Sequence, residues 1–335
     1  MGFGVVSLLD AVFRRMFTSA GLRPGSATVD ADDDTTIHYW AHPSLLQPPS
    51  DSDSEQRPPV VVLIHGFGPD PTWQWASQAG PLSRHFHLVV PTLLFFGASA
   101  TRAPARSDAF QAAVLAALLS GQHLPGLGAG RTVHVVGTSY GGLVAYHLAR
   151  ELEKQQGEGG GGGGVRVGKV ALCDSDACKG ADDDRTLAAR SGVADVAELL
   201  APADTRVLRR LMAICAHRPI KYVPECLLRD MLRKYFADKR EEKIALIKGI
   251  TTGEGFELAP LPQEVLIIWG EFDQIFPVDK AHKVKEKLGE KATVKVIPKT
   301  GHLPQQEDPK LFNRILLDFL LHPSASTSNG SVGAK

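Results

Sequence analysis

Three residue types, met in the order Ser, Asp, His, could together attack a carbonyl carbon. Val133-His134-Val135-Val136-Gly137-Thr138-Ser139-Tyr140-Gly141-Gly142 carries the pattern G-x-S-x-G between a strand-like run and a helical pattern. A serine that attacks a carbonyl must stand exposed on a tight turn at the carboxyl end of a strand. Gly137 and Gly141 flank that turn because a Cβ there would collide with neighbouring backbone. The helix that starts after Ser139 brings backbone N–H groups and a positive dipole end close to any developing oxyanion.

A serine hydroxyl is a poor nucleophile at neutral pH and needs a base that a carboxylate orients. His302, in Thr300-Gly301-His302-Leu303-Pro304 after the last strand-like run, occupies the position such a base requires. Asp273, after Val265 to Gly270, is the expected carboxylate, and Glu271 beside it is expected to be a surface or loop-ordering residue. Asp174 and Asp176, one strand earlier, are held in reserve. The oxyanion needs two backbone donors. Tyr140 N–H supplies one, and the loop His65-Gly66-Phe67-Gly68 the other, from Phe67 or, alternatively, Gly68. His65 is expected to brace that loop rather than react.

These residues need rigid carriers. Pro59 to Ile64 is a continuous β-branched run of the kind buried on both faces of a parallel sheet. His87–Val90, Thr132–Val136, Val165–Cys173, Val265–Trp269 and Thr293–Ile297 are further strands. Asp108–Leu119, Gly142–Gln156, Val278–Leu288 and Lys310–Leu321 are helical patterns between or after them. The alternation predicts an α/β fold around a mostly parallel sheet, spanning 26–176 and 261–322, with two short strands within 26–40. Residues 177–260 show helical stretches and no strand, so they are expected to form an inserted helical cap. The glycine run 157–164 reads as a surface insertion, 43–59 as an exposed loop and 323–335 as a disordered tail.

Of 335 residues, 37 are Lys or Arg and 37 are Asp or Glu, which removes any whole-chain electrostatic reason to bind nucleic acid or anionic lipid. The four cysteines lack a paired CxxC spacing, so neither a disulfide scaffold nor a zinc site is expected. No run is long enough to span a membrane. Within the segment 1–25, Val5, Leu8, Leu9, Val12, Phe13 and Met16 form a helical stripe, read as the face that packs on the body. A lipid-surface helix is the other reading. Trp73 and Trp75 are expected in core or pocket wall, and Lys234, Lys239, Arg240 and Lys243 on a solvated helix face.

The set HGFG, GTSYGG, WGEFD and TGH, in that order, resembles the α/β-hydrolase superfamily over roughly residues 26–321. With LLFFGAS at Leu93 to Ser99 and the helical cap, the chain looks more narrowly like plant monoacylglycerol lipases and carboxylesterases. The resemblance implies an α/β-hydrolase fold and a triad Ser139, Asp273, His302 with Phe67 and Tyr140 as oxyanion donors. It implies two-step cleavage of a small-molecule ester in the cytoplasm, without metal or organic cofactor. A small-molecule receptor with little turnover and an acyltransferase are the alternatives on the same scaffold.

Overall fold

The computed structural model describes residues 4–48, 57–120, 122–128, 130–158, 164–252 and 256–322. The acidic stretch near 50–56, most of the glycine run and the 323–335 tail lie outside them. Eight strands form one sheet in the order β1-β2-β4-β3-β5-β6-β7-β8. They are β1 (Arg23–Asp30), β2 (Thr35–Ala41), β3 (Val60–Ile64), β4 (His87–Pro91), β5 (Thr132–Thr138), β6 (Arg166–Cys173), β7 (Glu264–Gly270) and β8 (Ala292–Ile297). β1 and β2 enter antiparallel, and the six from β4 to β8 run parallel.

The period-two geometry of a strand divides the core between the two faces. Val60, Val62 and Ile64 of β3 join the cluster under α3 (Asp108–Leu118) and α4 (Tyr140–Glu158). Val61 and Leu63 join the cluster under α1 (Val5–Ser19), α2 (Pro71–Ser83) and α12 (Pro309–Leu321). All five side chains of β3 are buried, as a strand covered on both faces requires. α2 escaped the sequence reading because Gly80 and Pro81 interrupt its pattern, yet Asp70 caps it through Thr72 N–H and Pro71 opens it.

Between β6 and β7 the described residues form helices and no strand: α5 (Ala181–Ser191), α6 (Val196–Leu200), α7 (Thr205–Cys215), α8 (Glu225–Met231) and α9 (Arg240–Lys248). One π-helical turn, Leu232–Phe236, extends α8. These helices share a third core around Leu199, Leu208, Leu228 and Phe236. The remaining helices are α10 (Asp279–Leu288) and the short α11 (Pro304–Glu307). No helix among the described residues is long and apolar enough to cross a membrane.

Three surface expectations are corrected. α1 packs on the body through Val6 and Phe17, both fully buried, and through Asp10, which accepts from Trp73 Nε1 at 2.6 Å and pairs with Lys234 and Tyr235. The stripe Val5, Leu8, Val12 and Met16 therefore points outward, at 55%, 65%, 47% and 39% exposure. Trp73 is spent on this junction, against Phe13 and Tyr235, and Trp75 alone is core. The basic cluster is also no solvated face. Lys243 is buried with its Nζ donating to the Tyr235 and Asp238 carbonyls at 2.7 Å, and burial brings its ammonium down to about 8. Lys239 donates to Gly97 O at 2.6 Å and Arg240 to Ala201 O at 2.8 Å.

Two buried imidazoles make the fold acid-sensitive. His134 on β5 accepts from Lys169 N–H at 3.0 Å, and burial, with Lys169 and Arg166 adding to it, pushes it from 6.5 to about 4. His65 is fully buried and falls to about 4 for the same first reason. The folded protein refuses a proton that the unfolded chain accepts. The part of the stability that depends on these two imidazoles is thus fully present above pH 6.5 and lost progressively as pH falls toward 4. One such imidazole amounts to on the order of 2 kcal/mol by pH 5. Urea unfolding at pH 7 and pH 5 should show this loss, and His134→Gln should lose about 2 kcal/mol less than wild type. An unchanged pH dependence in the variant would contradict the assignment.

Candidate active site

The β5–α4 turn presents Ser139 in the left-handed region, φ 53°, a strained backbone for a residue with a Cβ. The turn is held by Ser139 N–H donating to Cys173 O at 2.8 Å and Gly142 N–H donating to Ser139 O at 2.9 Å. A Cβ on Gly137 would strike the Gly141 carbonyl, and one on Gly141 would strike the carbonyls of Ile64 and His65. The flanking glycines are thus demanded by close backbone approach, as the motif implies.

The loop after β8 places His302 Nε2 2.9 Å from Ser139 Oγ, and its Nδ1 2.8 Å from Asp273 Oδ2. Asp273 is fixed in turn: its Oδ1 accepts from Ile275 N–H at 2.7 Å and Phe276 N–H at 3.0 Å. His302 and Asp273 are buried, and the His302 ring meets Phe276 edge-on at 5.3 Å. Asp174, Asp273 and His302 bring ligand-type atoms within 4.8 Å of one another. Both nitrogens of His302 are committed to Ser139 and Asp273. All three residues of the expected triad are brought together. The reserve acids are not on the imidazole: Asp174 accepts from Gly270 N–H, and Asp176 from Cys178 N–H with Lys280 at 3.2 Å.

The N–H groups of Phe67 and Tyr140 carry no hydrogen-bond partner among the described residues. Both residues border the cavity that contains Ser139. His65 does what a brace should: its Nδ1 donates to Gly66 O at 2.8 Å and its Nε2 accepts from Leu93 N–H at 3.0 Å. Glu271 accepts from Lys299 N–H at 2.9 Å, which orders the loop before His302.

Two supporting residues went unread in the sequence. Gln74 is buried on α2; its Oε1 accepts from Gly66 N–H at 2.9 Å and its Nε2 donates to Gly66 O at 3.2 Å. Glu307 accepts from Gly301 N–H and from His217 N–H, and so ties the His302 loop to the end of α7. His302 N–H also donates to Cys215 O at 2.9 Å. Neither Gln74 nor Glu307 belongs to a motif, and only the fold brings them to their loops. Cys215 does not compete as a nucleophile, because loss of solvent, with Asp273 and Glu307 adding to it, pushes its thiol up to about 12.

The cavity over Ser139 has an apolar wall of Leu187, Val196, Leu200, Ile250, Ile275 and Phe276. Among the apolar residues of the inserted helices, Leu200 borders this cavity, whereas Leu208, Leu211 and Leu228 pack within the helical core. Its charged members are Asp176, Lys179 and Asp184, and Lys179 Nζ donates to both Asp184 oxygens at 2.8 Å. Among the described residues the cavity therefore holds no cation to spare for an anionic substrate.

Comparison with known proteins gives consistent matches. A dihydrolipoyllysine-residue acetyltransferase component of an acetoin cleaving system from Cupriavidus necator is 30% identical over 270 residues, 77% of this chain; the chain spans 62% of that protein's length. The 2-hydroxy-6-oxononadienedioate/2-hydroxy-6-oxononatrienedioate hydrolase 1 of Pseudomonas putida is 25% identical over 303 residues, 88% of this chain and 94% of that protein. Among solved structures, a bacterial membrane phospholipase A shares the fold at TM-score 0.70 and 23% identity, covering 94% of this chain and 91% of that one. The 2-hydroxy-6-oxo-6-phenylhexa-2,4-dienoate hydrolase of Rhodococcus sp. strain RHA1 does so at TM-score 0.66 and 20% identity, covering 89% and 98%. These relatives are bacterial, and the narrower likeness to plant monoacylglycerol lipases draws no support from them. Residues 61–315 match the alpha/beta hydrolase family, and together with the eight-stranded, mostly parallel sheet this makes the chain a member of that family.

Proposed function

We propose that the chain is a serine hydrolase of neutral, lipophilic carboxylic esters. The observation that carries this reading is the unbroken hydrogen-bonded series Ser139–His302–Asp273, opening on an apolar cavity. Ser139 Oγ attacks the ester carbonyl while His302 takes its proton. Asp273 fixes the imidazole tautomer and stabilises its cation. The oxyanion rests on the N–H groups of Phe67 and Tyr140, the alcohol leaves, and water activated by His302 releases the acid. Helices α5 to α9 act as the cap that shapes the acyl site. The paired Lys179 and Asp184 favour a neutral ester over the dianionic substrates named for the dienedioate hydrolases. Transfer of the acyl group to an acceptor other than water is the second reading, favoured by the acetyltransferase relative.

Hydrolysis of p-nitrophenyl esters from acetyl to long-chain acyl tests the reading, with added alcohols to capture transfer products. Turnover that rises with acyl length until the cavity is filled is expected. Absence of turnover on every ester would overturn it and bring the receptor alternative forward.

The outward face of α1 supports substrate supply from a lipid surface. Four of the large apolar residues exposed among the described residues, Val5, Leu8, Val12 and Met16, lie on its outward stripe, with exposed Arg15 at the edge of that stripe and Arg14 on the same helix. A helix of this kind lies in the interface of an anionic phospholipid bilayer. The double variant Leu8→Asp/Val12→Asp should associate with anionic vesicles more than roughly tenfold more weakly, given the transfer energy of those side chains. Its hydrolysis of a soluble acetyl ester should be unchanged, since neither residue touches the site. Equal vesicle binding by both proteins would remove the membrane role.

A further inference from the structure

Asp174 follows β6 with φ 45°, fully buried, and its backbone N–H donates to Ile268 O at 2.9 Å. Its Oδ1 accepts from Gly270 N–H at 2.8 Å. Its Oδ2 is buried and meets no donor among the described residues. A buried carboxylate oxygen without a donor is costly. The neighbour that resolves this is Asp273, whose carboxyl lies with that of Asp174 inside the 4.8 Å cluster around His302.

The hydrogen-bond inventory says which carboxyl carries a proton. Asp273 collects three donors, from Ile275, Phe276 and His302, whereas Asp174 collects one. Donors favour the charged form, and two like charges this close in a dry site cannot both be ionised cheaply. The negative charge therefore stays on Asp273. We infer that Asp174 is a neutral carboxylic acid whose O–H donates to the Asp273 carboxylate, a positioning residue that holds the relay at a single negative charge.

The surroundings agree. Burial first, and then the charge of Asp273, push Asp174 well above the usual carboxylate range, and Glu307 adds to this. The other titratable groups nearby, Cys173 and Cys215, have their thiols raised and so remain uncharged, and His302 faces Asp273 rather than Asp174. A second negative charge at this point would repel that of Asp273 inside a buried site. A neutral donor leaves the imidazole free to take the Ser139 proton. This consequence for catalysis rests on the hydrolase reading above; the protonation state itself does not.

Asp174→Asn tests the inference, because the amide keeps an acceptor for Gly270 N–H, supplies a donor to Asp273 and tolerates a positive φ. Infrared difference spectra of wild type minus Asp174→Asn at pH 7 should show a protonated carboxyl C=O band lost in the variant. Loss of a carboxylate band instead would overturn the inference. On p-nitrophenyl acetate the acidic limb of kcat/KM should stay in place in Asp174→Asn. Removing an ionised carboxylate so close to the relay would instead lower that limb by about one pH unit or more. Asp174→Leu, which keeps volume and loses the donor, should raise the limb and lower kcat roughly tenfold or more. An unmoved limb in Asp174→Leu would also count against it. A protein that hydrolyses no ester yet shows the lost C=O band would leave the Asp174 assignment standing and sink the hydrolase reading alone.

Discussion

Ser139→Ala should lower kcat for a p-nitrophenyl ester by about a millionfold, the scale on which losing the nucleophile of such a triad acts. The mechanism leaves no substitute: His302 Nε2 faces Ser139 Oγ alone at 2.9 Å, and Cys215 and Cys173 remain protonated thiols. The fold should be untouched, because alanine removes one atom from a turn whose backbone bonds run to Cys173 and Gly142. A thermal melt within a few degrees of wild type, beside lost turnover, is the expected pair of results. Retained turnover would mean that another group attacks the ester.

Asp273→Asn should cost about ten-thousandfold in kcat through the wrong imidazole tautomer. The geometry dictates how. Ile275 N–H and Phe276 N–H both point at Oδ1, so the amide must keep its oxygen there and turn its NH2 toward His302. Nδ1 then has to accept a hydrogen bond, which places the ring proton on Nε2, facing Ser139. A base that already carries its proton cannot take another from the serine. The check is kcat against pH for both proteins: the variant should recover part of its rate at high pH, where hydroxide can replace the base. Activity within tenfold of wild type at neutral pH would refute the role of Asp273.

The chemistry-bearing residues were legible because each belongs to a local pattern whose physics is local. Ser139 needs a tight turn between glycines, and His302 and Asp273 sit just beyond apolar strand runs. What surrounds them was not legible, for reasons of geometry across the sheet. Asp174 touches Gly270 only because β6 and β7 pair with Cys173 opposite Ile268, a register no spacing along the chain declares. Glu307 reaches His217 across the fold, and Gln74 turns back from α2 onto Gly66, a contact no helical or strand periodicity declares. The α1 stripe misled because both sides of that helix are apolar, so periodicity found an amphipathic helix without saying which face was covered. Asp10 is the clasp on the covered face, since a carboxylate can be half-buried where an indole, a phenol and an ammonium all donate to it. Lys243 shows the same limit, because a charge run looks solvated until two carbonyls are found around its ammonium.

Covalent labelling of the intact protein with an alkyl fluorophosphonate, followed by peptide mass spectrometry, addresses the nucleophile most directly. The geometry predicts a single adduct on the peptide containing Ser139, absent from Ser139→Ala and strongly slowed in Asp273→Asn. An unlabelled Ser139, or an adduct that persists in Ser139→Ala, would contradict it.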